Sequence, residues 1–333
     1  MQTMIVSILS LEQPWNIVWI CVLAFLLLNL LLTYPMLRWT ASIVLYNTMK
    51  RKNSQTWSRE WFHPDEESCR MRDEGAEWAE RYASYKQDLQ IENEGFRLYG
   101  EYYDFGYDRA VILIPGRTDS LTYSYFYASP YSSNGYNVLC IDQRAHGRSD
   151  GIYNTIGLDE HRDVLRWAEL LYKEKGVGAI LLHGICIGSA CALYALLAEG
   201  APSYFEGLVA DGMYGEFYES YYLHMKDLKK PTFILGMVDD EMRRRTGYSF
   251  RNGPMDRIHA YHGPLLMLHG TGDRYSLPEK AQILYDRCPS QEKSLVWFEG
   301  GRHSKLRIAH KEQYDRAIEE FLLRIRQRDV VTK

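Results

Sequence analysis

Cys186 sits between two glycines in His183-Gly184-Ile185-Cys186-Ile187-Gly188-Ser189, after the apolar run Ala179 to Leu182 and before the small-residue stretch Ala190 to Leu197. Strand, Gly-x-Cys-x-Gly turn and helix is the context in which a nucleophile is held on a strained turn and pushed into the open. The same turn aims the backbone N–H of Ile187, at a helix start, at any negative oxygen that forms beside the sulfur. A nucleophile of this kind needs a base, and the base needs a group to orient it. Two later loops carry them. Asp273 closes His269-Gly270-Thr271-Gly272-Asp273, just past the apolar run Leu265 to Leu268, and His303 closes Glu299-Gly300-Gly301-Arg302-His303, just past Leu295 to Phe298. Nucleophile, acid and histidine in that chain order, each at the carboxyl end of a strand, predict acyl transfer through a Cys186, Asp273, His303 set.

Other polar residues compete for these roles. Asp211 follows the run Gly207 to Ala210 and, as a carboxylate just past a core strand, is a rival acid. Ser189 lies one turn into the helix, where it is expected to pack or cap. Asp142 and His146 occupy a turn after Val138 to Ile141 and are expected to shape the loop, and His183, within a buried strand, is expected to be a satisfied core histidine.

The elements that position these residues follow from hydrophobic pattern. Apolar runs at Ala110 to Ile114, Asn137 to Ile141, Ala179 to Leu182, Gly207 to Ala210, Pro264 to Leu268 and Ser294 to Phe298 suit fully buried strands. Amphipathic stretches such as Leu158 to Lys173, Pro278 to Arg287 and Lys311 to Arg326 alternate with them. This alternation predicts an α/β chain with a mostly parallel, doubly wound sheet, and ligands in such sheets bind where the strands' carboxyl ends meet loops. Period-two strands are expected first at Asp88 to Ile91 and Arg97 to Phe105. The stretch 212–260 breaks the rhythm with Tyr214, Phe217, Tyr218, Tyr221 and Tyr222. It reads as a helical lid inserted between core strands or, equally, as ordinary aromatic packing.

From about residue 88 to 326 the sequence resembles an α/β-hydrolase of the serine aminopeptidase-like or BEM46-like type. The matching pieces are Leu113-Ile114-Pro115-Gly116-Arg117, the segment Asp142 to Ser149, the elbow, His269 to Asp273, and Gly301-x-His303. The resemblance implies that Leu113 to Arg117 is the oxyanion loop, whose second donor is the backbone N–H of Arg117, and it favours Asp273 over Asp211. Two departures stand out. The usual elbow Ser is Cys186, as in dienelactone hydrolases, and the usual His-Gly of the oxyanion loop is Pro115-Gly116. A thiol beside an imidazole serves esters, lactones and thioesters better than amides, because an amine must be protonated before it can leave. Three functions therefore stay in view: an esterase or thioesterase using an acyl-Cys intermediate, a Cys-substituted hydrolase-like binding protein, and a peptidase. A scaffold that tethers partners to a membrane is a fourth. No cofactor or metal is implied.

The remainder of the chain concerns location. Gln13 to Leu37 contains no charged residue, and Trp15 to Leu32 is almost continuously apolar, long enough to cross a bilayer. Trp15, Trp19, Tyr34 and Trp39 suit the two interfaces. No Lys or Arg precedes the run and no small-x-small site follows closely, which favours a retained single-pass anchor over a cleaved signal peptide. Arg38, Lys50, Arg51 and Lys52 follow the run, so the positive-inside rule places the remainder in the cytoplasm. The expected organisation is an anchor at 1–40, a juxtamembrane connector at 41–87 that either packs or is solvated, and an α/β-hydrolase domain at 88–333. Across 333 residues, 46% are hydrophobic and 25% charged, and the net charge of −4 gives no electrostatic footprint for nucleic acid. The six cysteines are scattered without zinc-like or disulfide spacing. The expected partners are therefore the membrane and a small-molecule or lipid-like ester.

Overall fold

The computed structural model describes residues 14–49 and 57–331. Labels below are given to helices longer than one turn. Eight strands form a single sheet in the order β1-β2-β4-β3-β5-β6-β7-β8. They are β1 (Lys86–Asn93), β2 (Phe96–Tyr103), β3 (Arg109–Ile114), β4 (Asn137–Ile141), β5 (Ala179–Ile185), β6 (Phe205–Asp211), β7 (Leu265–Gly270) and β8 (Lys293–Phe298). β1, β2 and β4 pair antiparallel, and every pairing from β4 through β3 to β8 is parallel. The helices are α1 (Pro14–Met49), α2 (Glu66–Arg81), α3 (His161–Glu174), α4 (Ile187–Leu196), α5 (Phe217–Asp227), α6 (Leu235–Thr246), α7 (Pro278–Arg287) and α8 (Lys311–Val331).

The central strands are apolar on both sides because both faces are covered. In β3, Ala110, Ile112 and Ile114 pack towards Trp167 and Leu171 of α3, while Val111 and Leu113 join Tyr314, Ile318 and Phe321 of α8 on the other face. The alternation is that of a pleated strand. It explains why these runs read as continuous hydrophobic stretches in the sequence.

The N-terminal helix does not stop where the apolar stretch suggests. α1 runs unbroken for 36 residues, about 54 Å at the helical rise. Its apolar part, from Trp15 to beyond Leu32, is exposed, and this helix is long and apolar enough to cross a membrane. From Arg38 onward it docks on the domain. Ala41, Leu45 and Met49, spaced four residues apart on one face, are buried among Tyr214, Phe217, Tyr221, Val238 and Met242. Burying Leu45 and Met49 contributes about 2 kcal/mol each. Residues 41–49, assigned to the connector on sequence grounds, thus continue α1 and pack on the 212–260 insertion. Of the flanking residues used for orientation, Lys50, Arg51 and Lys52 lie outside the described residues, as do Gln13 and residues 53–56.

The connector from Trp57 packs on the domain. Trp57 stacks on His146 at 4.4 Å between ring centroids, and Arg59 bridges Asp142 and Glu101, each at 2.8 Å. α2 begins where the Asp65 carboxylate accepts from the Ser68 N–H at 3.0 Å, with Glu66 and Glu67 favourably placed in its first turn. The insertion itself consists of α5 and α6 and one-turn pieces, so the tyrosines of 214–222 include both packing and cavity-lining residues.

Candidate active site

Four strands of the parallel part, β3, β5, β7 and β8, deliver the candidate site residues at their carboxyl ends. Cys186, immediately after β5, has φ 55° and ψ −114° and caps the start of α4. A non-glycine residue there costs on the order of 1–3 kcal/mol and persists because its surroundings over-determine it. The Cys186 N–H donates to the Asp211 carbonyl at 2.8 Å, and the Ser189 hydroxyl donates to the Gly184 carbonyl at 2.6 Å. Ser189 is therefore a fastener of the turn. The flanking glycines are required by close approach: a Cβ on Gly184 would lie 2.2 Å from the Gly188 carbonyl, and one on Gly188 would lie 2.1 Å from the Ile114 carbonyl oxygen. Gly188→Ala is accordingly expected to destabilise by more than about 4 kcal/mol and to remove most of the folded protein. Gly236→Ala, in a helix where an added Cβ meets nothing within 4 Å, should instead raise the thermal midpoint through a gain of about 0.5–1 kcal/mol. Thermal unfolding of the two variants checks both expectations.

The Asp273 carboxylate is fixed by its own turn. Its Oδ1 accepts from the Tyr275 and Ser276 N–H groups, each at 2.9 Å. Its Oδ2 accepts from His303 Nδ1 at 2.7 Å. A carboxylate only accepts, so Nδ1 carries the hydrogen, and Cys186 lines the same cavity as His303, near enough for the sulfur to act on the imidazole. The Asp273 side chain is 1% exposed and that of His303 16%. Burial opposes the imidazolium, but the Asp273 carboxylate and the Cys186 sulfur outweigh it and hold His303 well above its ordinary range. Burial pushes the Asp273 carboxyl up, and the facing imidazole with the Tyr275 N–H reverses this, leaving it below the ordinary carboxylate range. The structure thus brings Cys186, His303 and Asp273 together.

The loop after β3, expected from the sequence to supply an oxyanion donor, is held from two sides. The Gln143 side-chain amide donates to the Pro115 carbonyl at 2.6 Å, and His146 Nε2 donates to the Arg117 carbonyl at 2.5 Å. The Arg117 guanidinium donates to the Thr48 carbonyl in α1 at 3.1 Å. Gly116, Arg117 and Cys186 line one cavity of about 480 Å³. Ile187 opens α4, so its N–H has no intrahelical acceptor. Asp142 organises the neighbouring loop by accepting from the Leu121 and Arg148 N–H groups at 2.9 and 3.0 Å.

Asp211, the rival acid, is hydrogen-bonded elsewhere. Its Oδ2 accepts from the Tyr314 hydroxyl at 2.8 Å, the Tyr314 oxygen lies 3.2 Å from His183 Nε2, and the Tyr131 hydroxyl lies 2.9 Å from His183 Nδ1. His183 is a satisfied neutral histidine, which burial pushes down to about 3. Burial pushes Asp211 up to about 7 against the Tyr314 hydrogen bond, and its Oδ1 finds no partner among the described residues. The neutral carboxyl therefore stabilises the fold fully below the unfolded value near 3.8, and this contribution is lost as pH rises through about 7. Asp211→Asn keeps the acceptor for Tyr314 and cannot ionise. Relative to wild type the variant should gain about 4 kcal/mol between pH 4 and pH 8. Unfolding of both proteins across that range measures it, and the His183 contribution cancels in the difference.

Sequence reasoning passed over the cavity's polar wall. Asp119 Oδ2 would lie 2.6 Å from a Cβ on Gly116, so the glycine makes room for this carboxylate beside the elbow. Burial pushes the Asp119 carboxyl up, against the pull of His63, His146 and Lys305. His63, Asp65 and Met71 come from the connector and α2, and Phe217, Ser220, Tyr221 and His224 from α5. No local motif marks them, since they meet only through the packing of the connector and the insertion on the sheet.

Comparison with known proteins agrees with this architecture. A family model described as the alpha/beta hydrolase fold matches residues 109–226, and one described as serine aminopeptidase, S33, matches residues 237–307. The esterase Pf2001 of Pyrococcus furiosus superposes with a TM-score of 0.61 at 24% identity, over 74% of this chain and 95% of that one. The chain has the α/β-hydrolase fold. A second α/β neighbour, the serine hydrolase CCSP0084 from Cycloclasticus zankles, gives a TM-score of 0.54 at 17% identity over 71% of this chain and 97% of that one. In sequence, this chain is 28% identical over 219 residues to the uncharacterized protein YqkD of Bacillus subtilis, covering 64% of this chain and 70% of the relative.

Proposed function

We propose that this α/β-hydrolase cleaves an ester or thioester through an acyl-Cys186 intermediate, with the site held near a membrane by α1. The observation that carries the reading is the single arrangement of a thiol on a positive-φ turn, an imidazole lining the same cavity, and a buried carboxylate 2.7 Å behind that imidazole. His303 Nε2 takes the Cys186 proton as sulfur attacks the carbonyl carbon. The N–H groups of Arg117 and Ile187 receive the oxygen's developing charge, and His303 then gives its proton to the departing alcohol or thiol. Water attacks the acyl-sulfur bond with His303 as base, the acid leaves, and the thiol is restored. The esterase Pf2001 is a similar fold, and a further neighbour, Est1E from Butyrivibrio proteoclasticus with ferulic acid bound, has a TM-score of 0.54 at 16% identity over 71% of this chain and 98% of that one. Both are compatible with ester chemistry on this scaffold.

The wall of Phe217, Tyr221, Met71 and Ile185 suits an apolar acyl chain. Arg38 and the Lys50 to Lys52 cluster favour a cytoplasmic domain. The test uses the full chain in detergent with p-nitrophenyl esters of increasing acyl length. Release of p-nitrophenol that rises with chain length and then falls once the cavity is full is expected. Absence of release from every ester and thioester tried would overturn the proposal in favour of a binding protein.

A further inference from the structure

The insertion is a helical hairpin packed on α1. Its base is closed where the rings of Phe217 and Phe250 lie 5.4 Å apart and the Phe250 carbonyl accepts from the Tyr218 N–H at 2.9 Å. At this level Tyr221 of α5 meets Thr48 through their hydroxyls. Farther along, Glu241 of α6 accepts from Arg38 and Ser42, each at 3.0 Å. The hairpin thus touches α1 over about 15 Å of its length, from Thr48 to Arg38, directly after the exposed apolar stretch. Leu228 and Phe233 lie in the connection between α5 and α6.

The tip has the composition of a surface that meets lipid. Phe233 is 77% exposed, more than any apolar residue of α1 itself, and Leu228 is 51% exposed. Lys226, Lys229 and Lys230 surround them, exposed and without an ion pair among the described residues, while Asp227 faces Arg274 at 3.9 Å. An exposed aromatic and leucine ringed by lysines is costly in water and favourable at an anionic headgroup boundary.

We propose that the α5–α6 tip, residues 226–233, docks on the bilayer that α1 crosses, with Phe233 and Leu228 below the headgroups and the lysines among anionic phosphates. This rests on the reading of α1 as a membrane span. The base of α5 carries Phe217, Tyr221 and His224, which line the cavity above Cys186. The hairpin therefore connects the lipid surface to the site, and the substrate class is an acyl ester dissolved in the same leaflet.

The experiment places the photo-crosslinker p-benzoylphenylalanine singly at Phe233, Leu228, Leu28 and Leu323 of the full chain. The protein is reconstituted in vesicles of phosphatidylcholine with a minority of phosphatidylglycerol, irradiated and read by peptide mass spectrometry. Leu323 serves as control, because the neighbouring Ile325 packs by Gly207 at the strands' amino ends, opposite the insertion. Phospholipid adducts are expected at 28, 228 and 233 and none at 323. Lys229→Glu with Lys230→Glu should lower the adduct at 233 about fivefold and leave that at 28 unchanged. Lipid at 28 without lipid at 228 and 233, or crosslinks from 233 to protein instead, would overturn the docking. Absence of lipid at 28 would overturn it by removing the span, a separate failure that leaves the ester chemistry standing.

Discussion

Cys186→Ala is expected to lower ester turnover by at least about 10⁴, to the level left by substrate binding and the oxyanion donors alone. The loss is that large because in the proposed mechanism the sulfur provides the nucleophile and the acyl carrier, and no neighbouring group can replace it. Ser189, the nearest hydroxyl in sequence, is committed to the Gly184 and Asp211 carbonyls at 2.6 and 3.1 Å. Alanine tolerates the elbow as well as any residue with a Cβ, so the variant should fold, and circular dichroism with an unchanged thermal midpoint separates lost chemistry from lost structure. Cys186→Ser keeps an oxygen in place of the sulfur and the same base. It should retain turnover well above the alanine variant and leave the carboxylate and imidazole geometry untouched.

Asp273→Asn carries the second large effect, a fall in kcat of about 10³–10⁴. The amide would present N–H groups or a weaker acceptor where Oδ2 now receives the His303 Nδ1 hydrogen at 2.7 Å. The imidazole would then favour the tautomer that points a hydrogen, rather than a lone pair, at sulfur. Asp211→Asn makes the contrast. It removes a carboxylate that serves Tyr314, and its turnover near neutral pH should stay within about threefold of wild type. The same geometry sets the acid limb of the pH profile. His303 must take the Cys186 proton, and the Asp273 carboxylate and the Cys186 sulfur hold it well above the ordinary imidazole range, so kcat should fall as pH drops through that raised value, well before Asp273 titrates.

Much of this site can be read before any coordinates are known, and the reason is local. A strand buried on both faces must be apolar throughout, a sharp crossing of strand and helix must have glycine where backbones touch, and residues after strand ends must share one edge of a parallel sheet. Cys186, Asp273 and His303 each fall under those rules. What sequence reasoning missed depends on packing between distant segments. The stripe of Ala41, Leu45 and Met49 looks like the end of an apolar helix until the insertion is placed against it. Trp57 on His146, and Asp119 in the space left by Gly116, arise from contacts with no periodic signature. The choice between Asp211 and Asp273 likewise rests on position: both follow core strands, and only the direction of the Asp273 turn brings a carboxylate oxygen to the imidazole.

The central claim is that Cys186 becomes acylated and is then freed by water. Mixing the full chain with a p-nitrophenyl ester, quenching in acid within the first turnover and sequencing the peptides by mass spectrometry tests this directly. The account predicts an acyl mass on the peptide bearing Cys186, formed with a stoichiometric release of p-nitrophenol and decaying at the steady-state rate. Steady turnover with no acyl mass on Cys186, and equal turnover by Cys186→Ala, would contradict it.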